Sequence, residues 1–346
     1  MSEIAIIGAG AWGTALSIVL GRKPEHKVRL WAHEPEVRES ILMRRVNELF
    51  LPEYPVPESV TPTNSLGDAL NGAEIVVSVM PSHHCRRVFK NMAQLVTPEM
   101  LLVSATKGLE NETLLRMTEV IADVLQSANR KTSRIGAVSG PSFAKEVARG
   151  DPTAVAIASR DDELMKTVQQ QFSGPSFRIY TNHDVVGVEL GGALKNVIAI
   201  AAGVCDGLGL GHNSVAALIT RGLAEITRLV IASGGRQETM AGLAGLGDLV
   251  LTCTGDLSRN RSVGVELGRG RKLEDIVTGM HGMVAEGVLT TNAAVGLARK
   301  LNVEMPITQQ MHAILQLGKL PREAIRELMT RPATSEVGLY RNLGTG

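Results

Sequence analysis

Aromatic residues and net charge are both scarce in this chain of 346 residues. Phe, Trp and Tyr make up 3% of the sequence against 44% hydrophobic residues in all, so the core has to be built from aliphatic side chains, which suits helix packing and parallel sheet. The 36 Lys and Arg residues nearly balance the 35 Asp and Glu residues. This balance provides no broad positive field for nucleic acid or an anionic membrane, so an anionic ligand has to bind at a local cluster.

Cysteine and long apolar runs are scarce as well. Cys85, Cys205 and Cys253 are odd in number and lack CxxC spacing, which predicts buried thiols in a reducing compartment. Three glycines interrupt the first apolar run, residues 4–20, and we expect no later run to reach the roughly 20 apolar residues of a membrane span. The eight His residues show no metal-ligand spacing. We therefore predict a cytoplasmic protein with no integral membrane association and no metal.

In the first half of the chain, short apolar runs alternate with helix-like stretches. Repeated strand–helix–strand order predicts a mainly parallel sheet with right-handed crossovers. Ser65, followed three residues later by Asp68, resembles a capping box at the start of one of these helices. The strand candidates are residues 4–7, 28–31, 75–79, 101–104, 135–139, 154–159 and 177–180.

A glycine-rich turn, Gly8-Ala9-Gly10-Ala11-Trp12-Gly13, lies between the first predicted strand and a predicted helix. Gly8 would make the tight turn, Gly10 would admit a pyrophosphate, and Gly13 would let helix and strand pack closely. The N–H groups and dipole at the helix N-terminus would hold the phosphates. The alternative is a glycine-rich turn without a ligand, but the strand–turn–helix context favours dinucleotide binding.

The end of the second predicted strand bears on which dinucleotide binds. About 20 residues beyond the glycine turn, NAD enzymes commonly have an acid that holds the ribose 2′-hydroxyl. His33 stands at that position and Glu34 follows it, with Arg38, Arg44 and Arg45 as candidates to reach a 2′-phosphate. The sequence therefore favours NADP(H), with NAD(H) as the alternative.

The pattern changes near residue 185, where 3.6-residue periodicity becomes dominant, as in residues 215–231, 290–300 and 322–329. A chain of this length exceeds the usual size of a single core. We therefore predict an α/β Rossmann-like domain over residues 1–184 and an all-helical domain over residues 185–346, joined by a helix over about residues 185–204.

Lys107 and the segment 139–146 each follow a predicted strand at its carboxyl end. Open α/β sheets bind their ligands at that edge, so Lys107 is a candidate ligand contact, with a solvated surface lysine as the alternative. The segment, Ser-Gly-Pro-Ser-Phe-Ala-Lys-Glu, predicts a rigid turn into a helix whose N–H groups could contact a ligand. A turn with only a structural role is the alternative there.

Lys195 is the strongest candidate for chemistry because it lies inside an apolar predicted helix. Helical side chains lean toward the N-terminus, over the residues three and four positions earlier. Here those residues are Gly192 and Gly191, so we expect room above them for a nicotinamide or a substrate. The alternative is a lysine that snorkels to solvent.

Two polar segments in the helical half complete the candidate site. Asp248 lies in a run too apolar to leave a carboxylate without a partner. Arg259 and Asn260 suit a phosphate, because a guanidinium binds phosphate oxygens bidentately and the amide adds a donor. Alone, the segment from Ser258 to Arg261 is more typical of a solvated loop, but its place after Asp248 favours a site.

These residues resemble bacterial NAD(P)-dependent glycerol-3-phosphate dehydrogenases over essentially the whole chain. Several of the matching segments lie outside the general dinucleotide fold. They are, in the family's order and spacing, GAGAWGTAL, NELFLPEYPVP, ATKGLE, SGPSFAKEVARG, GVELGGALKNVIAIAAG, AALITRGLAE, AGLGDLVLTCTG, SRNRSVG and EMPIT.

The resemblance implies a reversible, NAD(P)H-dependent reduction of dihydroxyacetone phosphate to sn-glycerol 3-phosphate, which supplies a phospholipid precursor. It implies that residues 185–346 bind the substrate, that Lys195 is the proton donor and acceptor, and that the protein is a homodimer. Ala11 stands where the family commonly has Ser, so only a backbone contact is expected there.

The resemblance also implies a set of contact residues. Substrate contacts are expected at Lys107, Gly140, Ser142, Lys195, Asp248, Ser258, Arg259 and Asn260. Cofactor contacts are expected at Gly8, Gly10, Ala11, Trp12, Gly13, His33, Lys107, Ala144, Arg259, Val284 and Glu286.

Two other functions fit parts of the sequence. A dehydrogenase of a hydroxy acid or a ketopantoate-like substrate would share the Rossmann half and a helical lysine, but Asp248 and the segment 258–260 favour a phosphorylated substrate. A nucleotide sensor without catalytic activity would need none of Lys107, Lys195 and Asp248, and all three are present.

Overall fold

The structure is a computed structural model that describes residues 2–130, 134–280, 285–333 and 335–336. The chain divides into two compact units. Unit 1 comprises Met1–Lys107 and Met117–Val185, and unit 2 comprises Gly108–Arg116 and Val186–Gly346. The segment Gly108–Arg116 therefore groups with the second unit although it lies within the first half of the sequence.

Unit 1 is built on an eight-stranded sheet of order β10-β9-β8-β7-β6-β1-β2-β5, with β3 and β4 paired separately. Every neighbouring pair of the large sheet is parallel except β8 and β9, which confirms the mainly parallel sheet. All seven strand candidates are strands. The strands are β1 Ser2–Ile7, β2 His26–Trp31, β3 Val46–Asn47, β4 Leu51–Pro55, β5 Val60–Thr63, β6 Ile75–Ser78, β7 Leu101–Ser104, β8 Ile135–Ser139, β9 Thr153–Ser159 and β10 Phe177–Asn182.

The helices of unit 1 alternate with these strands. The Ser65 hydroxyl accepts a hydrogen bond from the Asp68 N–H at 3.1 Å, which confirms the predicted helix start. β2 and β6 flank β1 on opposite sides, so the carboxyl end of β1 is the switch point at which open α/β sheets bind ligands. The helices are α1 Ala11–Gly21, α2 Pro35–Arg44, α3 Leu66–Leu70, α4 Cys85–Met92, α5 Met117–Ser127, α6 Ala144–Arg149 and α7 Asp162–Phe172.

The regular secondary structure in the described part of unit 2 consists of helices, together with an isolated bridge between Leu109 and Arg116. The predicted helical second half is thereby confirmed. A π-helical turn, Leu243–Gly247, directly precedes α11. The helices are α8 Val185–Gly207, α9 His212–Ala232, α10 Gln237–Met240, α11 Asp248–Thr254, α12 Arg259–Gly268, α13 Leu273–Thr278, α14 Glu286–Lys300, α15 Pro306–Leu317 and α16 Pro321–Met329.

The longest apolar helix is α8, with 23 residues. By length and composition alone it could cross a membrane, which corrects the expectation that no later run reaches that length. However, 89% of its most apolar window is buried inside the structure, as is normal for a core helix. The glycines of α8 allow other helices to pack closely against it.

Glycines on α8 and α12 let these two helices approach backbone to backbone. A Cβ on Gly203 would lie 2.0 Å from the Arg261 carbonyl oxygen, and a Cβ on Gly264 would lie 2.0 Å from the Ile200 carbonyl oxygen. Real side chains do not tolerate such distances. The close approach brings the first turn of α12 against the middle of α8, where Lys195 lies.

Candidate active site

The dinucleotide turn joins β1 to α1 and has the backbone geometry that its glycines allow. Gly8 has a φ of 124°, in the left-handed region, and a Cβ there would lie 2.0 Å from the Val79 carbonyl oxygen. A Cβ on Gly13 would lie 1.9 Å from the Gly8 carbonyl oxygen, whereas a Cβ on Gly10 would meet nothing within 4 Å. Two glycines thus permit close backbone packing, and the third borders open space.

Four consecutive backbone N–H groups at this turn have no acceptor among the described residues. They belong to Gly10, Ala11, Trp12 and Gly13. The first turn of α1 also contains no acidic side chain. Unpaired N–H groups and the positive end of a helix dipole attract anions, so this turn fits a dinucleotide pyrophosphate.

The residues that were predicted to contact the ribose end of the dinucleotide follow β2. His33 is exposed, and its ring centroid lies 5.9 Å from that of Trp31. Arg44 pairs with a glutamate, and Arg45 donates to backbone carbonyl oxygens after β4, both at the far end of α2. Ten helical residues span about 15 Å, so the structure removes Arg44 and Arg45 as 2′-phosphate contacts. Arg38, in the first half of α2, keeps a suitable position.

Lys107 and Ser142 meet at one carbonyl oxygen. The Lys107 Nζ donates to the Gly140 oxygen at 3.2 Å, and the Ser142 hydroxyl donates to the same oxygen at 2.9 Å. This contact follows from topology, because β7 and β8 are parallel neighbours and end at the same edge of the sheet. Gly140 has a φ of 148°, a conformation that L side chains rarely adopt.

The other expected cofactor contacts lie on several elements. Trp12 is half-buried in the first turn of α1, with its ring centroid 6.5 Å from that of Phe177. Ala144 is the first residue of α6, and Glu286 is the first residue of α14. Val284 lies outside the described residues.

Lys195 lies in the middle of α8, almost entirely buried, and it has two partners on α11. Its Nζ donates to Asp248 Oδ1, and to the Thr252 hydroxyl at 2.8 Å. Asp248 is fully buried, so the predicted need of its carboxylate for a partner is confirmed. Asp248 and Thr252 are four residues apart and therefore share one face of α11. A buried ammonium is thus held in place by a carboxylate and a hydroxyl.

Gly191 has a different role from the one that the sequence suggested. A Cβ there would lie 2.5 Å from the Ala244 carbonyl oxygen, which belongs to the π-helical turn before α11. The space above Gly191 is therefore filled by backbone, and the expectation of ligand room over this glycine is wrong. The close contact brings α11, and with it Asp248, against α8.

Asn260 connects three helices of unit 2, α8, α12 and α14. Its Nδ2 donates to the Asn196 side-chain oxygen at 3.0 Å, and its Oδ1 accepts from the Gly287 N–H at 2.9 Å. Asn196 follows Lys195 on α8, and Gly287 lies in the first turn of α14. Asn260 is therefore largely engaged in protein contacts and has one Nδ2 hydrogen left for a ligand.

The Arg259 side chain differs from those of its neighbours because it has no hydrogen bond or ion pair with any described residue. Arg261 pairs with Asp206 and Asp256 at 2.9 and 3.1 Å. The Ser258 hydroxyl caps α12 by accepting from the Arg261 N–H at 3.2 Å. Surrounding protein lowers the pKa of Arg259 by desolvation, although its side chain reaches solvent. An uncompensated guanidinium at the N-terminus of a ten-residue helix suits a phosphate.

The three cysteines lie in the interior, and Cys253 lies beside the Lys195–Asp248 pair. The three cysteines are buried and free, as predicted, and burial raises the pKa of Cys253 to about 12, so this thiol stays neutral beside the Lys195–Asp248 pair. In the described ranges, no group of three or more His, Cys, Asp or Glu side chains could hold a metal ion.

Sequence reasoning missed two side chains of this site, Thr252 and Asn196. Their signals were present in the sequence, since Thr252 lies one helical turn after Asp248 and Asn196 lies next to Lys195. Both residue types are common in helices without any functional role, so position alone did not single them out.

Comparison with known proteins agrees with this geometry. Residues 3–165 match the family model for the N-terminus of NAD-dependent glycerol-3-phosphate dehydrogenase, and residues 184–326 match the model for its C-terminus. The chain is 72% identical over 339 residues to a glycerol-3-phosphate dehydrogenase (NAD(P)+) of Koribacter versatilis, covering 98% of this chain and 100% of the relative. It is 57% identical over 339 residues to the protein of the same name from Acidobacterium capsulatum, covering 97% and 100%.

A solved structure gives the same result. The crystal structure of glycerol-3-phosphate dehydrogenase from Coxiella burnetii is similar with a TM-score of 0.90 and 43% sequence identity, covering 95% of this chain and 99% of that one. Both halves of the chain match one family, and the relatives match over nearly their whole length. The chain therefore belongs to the NAD-dependent glycerol-3-phosphate dehydrogenase family.

Proposed function

We propose that the protein catalyses the reversible reduction of dihydroxyacetone phosphate to sn-glycerol 3-phosphate with NAD(P)H. The observation that carries the proposal is that one unit contains both a buried Lys195–Asp248 ion pair and an Arg259 side chain without an anionic partner among the described residues. The first group can move a proton, and the second can bind a phosphate ester. The names of the relatives contain glycerol 3-phosphate, the product of the proposed reduction, and NAD(P)+.

Lys195 acts as the proton donor in this proposal. When bound, the nicotinamide supplies a hydride to the C2 carbonyl carbon of the substrate. Negative charge then develops on the C2 oxygen, and the Lys195 Nζ gives it a proton; in the reverse direction Lys195 accepts that proton. Asp248 and Thr252 hold the Nζ in position, so little reorganisation is needed at the moment of transfer.

The substrate phosphate binds at the N-terminus of α12. Arg259 contributes two N–H donors in a planar fork, and the first-turn N–H groups of the helix add partial positive charge. Ser258 and the remaining Nδ2 hydrogen of Asn260 add donors. Binding energy from this remote group positions the carbonyl for reaction. Lys107, Gly140 and Ser142 are proposed as further substrate contacts.

The dinucleotide binds to unit 1 through the turn after β1. The unpaired N–H groups of Gly10, Ala11, Trp12 and Gly13 support pyrophosphate binding there. His33 and Arg38 favour NADP(H), because neither side chain is an acid that would repel a 2′-phosphate. Ala144, Val284 and Glu286 are proposed as further cofactor contacts, with Lys107 and Arg259 contacting both ligands. Family membership supports a cytoplasmic homodimer.

A spectrophotometric assay tests the function. NADPH and NADH oxidation would be followed with dihydroxyacetone phosphate, a 2-keto acid and ketopantoate, and the product would be identified as sn-glycerol 3-phosphate. We expect turnover with dihydroxyacetone phosphate only, faster with NADPH. Turnover with the keto acids would favour the related dehydrogenases, and NADPH binding without any turnover would favour a nucleotide sensor.

A further inference from the structure

Asn47 is a fully buried polar residue of unit 1 that lies beside the dinucleotide turn. Its Nδ2 donates to the Ala9 carbonyl oxygen at 2.8 Å and to the Thr14 hydroxyl at 2.7 Å. Its Oδ1 accepts from the Phe50 N–H at 3.1 Å, which fixes the orientation of the amide. The small β3–β4 sheet thus places the Asn47 side chain against the turn that joins β1 to α1.

The two Nδ2 hydrogens of Asn47 hold the Ala9–Gly10 peptide unit, one directly and one through Thr14. The Thr14 hydroxyl also donates to the Ala9 oxygen, at 3.3 Å, so Asn47 and Thr14 hold that oxygen together. The described peptide bonds are all trans, and in a trans peptide the C=O and the following N–H point in opposite directions. Holding the Ala9 oxygen toward Asn47 therefore turns the Gly10 N–H the other way.

The Gly10 N–H is available to a ligand on that side. The Gly10 N–H has no acceptor among the described residues, and a Cβ on Gly10 would meet nothing within 4 Å. The N–H is the first of the four unpaired donors at the turn. A peptide whose carbonyl was not anchored could rotate and aim its oxygen at the ligand instead, and that oxygen would repel a pyrophosphate.

We propose that Asn47 is a positioning residue for the dinucleotide: by anchoring the Ala9 carbonyl, it aims the Gly10 N–H at the pyrophosphate. The proposal rests on the proposed function, because it needs a dinucleotide at this turn. Asn47 touches no cofactor atom itself, and its effect passes through the backbone of Ala9 and Gly10.

The test is Asn47→Asp, which keeps the size of the side chain and the acceptor for the Phe50 N–H. It replaces the two donors by an oxygen that repels the Ala9 carbonyl. We expect the Kd for NADPH, measured by its fluorescence, to rise about tenfold to a hundredfold. With NADPH at saturation, kcat should stay close to the wild-type value, because Lys195 and the substrate contacts are unchanged.

Ser159→Ala is the matched control. The Ser159 hydroxyl is fully buried, donates to the Ile135 carbonyl oxygen at 2.8 Å and accepts from the Asp161 N–H at 3.0 Å. It therefore joins backbone groups as Asn47 does. Ser159 pairs with Gly136 at the start of β8, so it lies at the amino ends of the parallel strands, whereas the dinucleotide turn follows the carboxyl end of β1. This variant should lower the Tm and leave the Kd for NADPH unchanged.

Thr14→Val tests the same anchor if Asn47→Asp does not fold. It removes the hydroxyl that shares the Ala9 carbonyl with Asn47 and should raise the Kd for NADPH by a smaller factor, about threefold to tenfold. A folded Asn47→Asp protein with the wild-type Kd would overturn the proposal, as would an unchanged Kd in Thr14→Val when only that variant folds. If the wild-type protein binds neither NADPH nor NADH, the proposed function itself is wrong.

Discussion

At the scale of single residues, the proposed chemistry depends on two cations with opposite environments. Lys195 is buried and paired with Asp248, whereas Arg259 has no anionic partner among the described residues. The sequence alone predicted both cations and the carboxylate, because charged residues stand out in apolar segments. It could not predict that Asn260 would be occupied by Asn196 and Gly287, since those contacts depend on how three helices pack.

Removing the proton donor should lower kcat severely and leave cofactor binding nearly unchanged. Lys195→Ala should lower kcat by about 100-fold to 10,000-fold, with the Kd for NADPH nearly unchanged. Because this change leaves the Asp248 carboxylate buried without its ammonium, it should also destabilise the fold by about 3–5 kcal/mol.

Lys195→Arg separates the loss of turnover from the loss of stability. The guanidinium keeps the charge that Asp248 needs but cannot release a proton near neutral pH. This variant should fold well and show the same loss of kcat. Turnover within tenfold of wild type in Lys195→Arg would exclude Lys195 as the proton donor.

The phosphate contact predicts a defect in substrate binding. Arg259→Ala should raise the KM for dihydroxyacetone phosphate by about tenfold to a hundredfold, because a charge-assisted hydrogen-bonding group contributes about 1.5–3 kcal/mol. Arg261→Ala is the control, since Arg261 already pairs with Asp206 and Asp256. Steady-state kinetics that show equal KM values for the two variants would contradict the assignment.

At the scale of elements, most strands and helices could be predicted because their apolar periodicity is regular. β5 was missed since it has four residues and contains Pro62, which lacks the N–H of a central strand. β5 is an edge strand of the sheet, so a proline without an N–H is tolerated there. The antiparallel direction of β9 was also missed, because periodicity reports which face is buried and does not report strand direction.

The glycine contacts between α8 and α12 predict a stability defect. Gly264→Ala would place a methyl group 2.0 Å from the Ile200 carbonyl oxygen, so the helices would have to separate. We expect the free energy of unfolding in urea to fall by about 1–3 kcal/mol. Gly67→Ala, on an exposed position of α3 with only the Ser65 hydroxyl oxygen at 3.6 Å, should leave stability unchanged or raise it. Equal effects of the two substitutions would contradict the close packing.

Glu225 links α9 to the start of α15 and predicts a pH dependence of stability. It accepts hydrogen bonds from the N–H groups of Ile307 and Thr308, and burial raises its pKa from 4.5 to about 7 despite those bonds and nearby Arg228. The folded state therefore binds more protons than the unfolded state between those two values. The free energy of unfolding should fall as pH rises through this window.

Urea unfolding at several pH values between about 4.5 and 7 measures this effect. Glu225→Gln should remove the decline, because the amide does not titrate. Glu304→Gln, at an exposed carboxylate paired with Arg331, should keep it. A wild-type stability that rises with pH across this interval would contradict the direction of the shift.

At the scale of the whole molecule, each unit has hydrogen-bond donors without an acceptor among the described residues, and the proposed function assigns one anion to each. Unit 1 has the unpaired N–H groups of the dinucleotide turn, and unit 2 has Arg259 at the N-terminus of α12. The formal net charge of +1 agrees with such local recognition, because the protein has no broad field that would attract anions in general. A phosphorylated substrate and a dinucleotide are the two anionic ligands that this division suits.

The most direct test of this account compares dihydroxyacetone phosphate with unphosphorylated dihydroxyacetone at matched concentrations, with NADPH oxidation followed by absorbance. The two compounds share the carbonyl that is reduced and differ in the phosphate that Arg259 would bind. We predict rapid turnover with the phosphate ester and kcat/KM lower by about a hundredfold or more without it. Equal turnover of the two compounds, or turnover of neither, would contradict the proposed substrate.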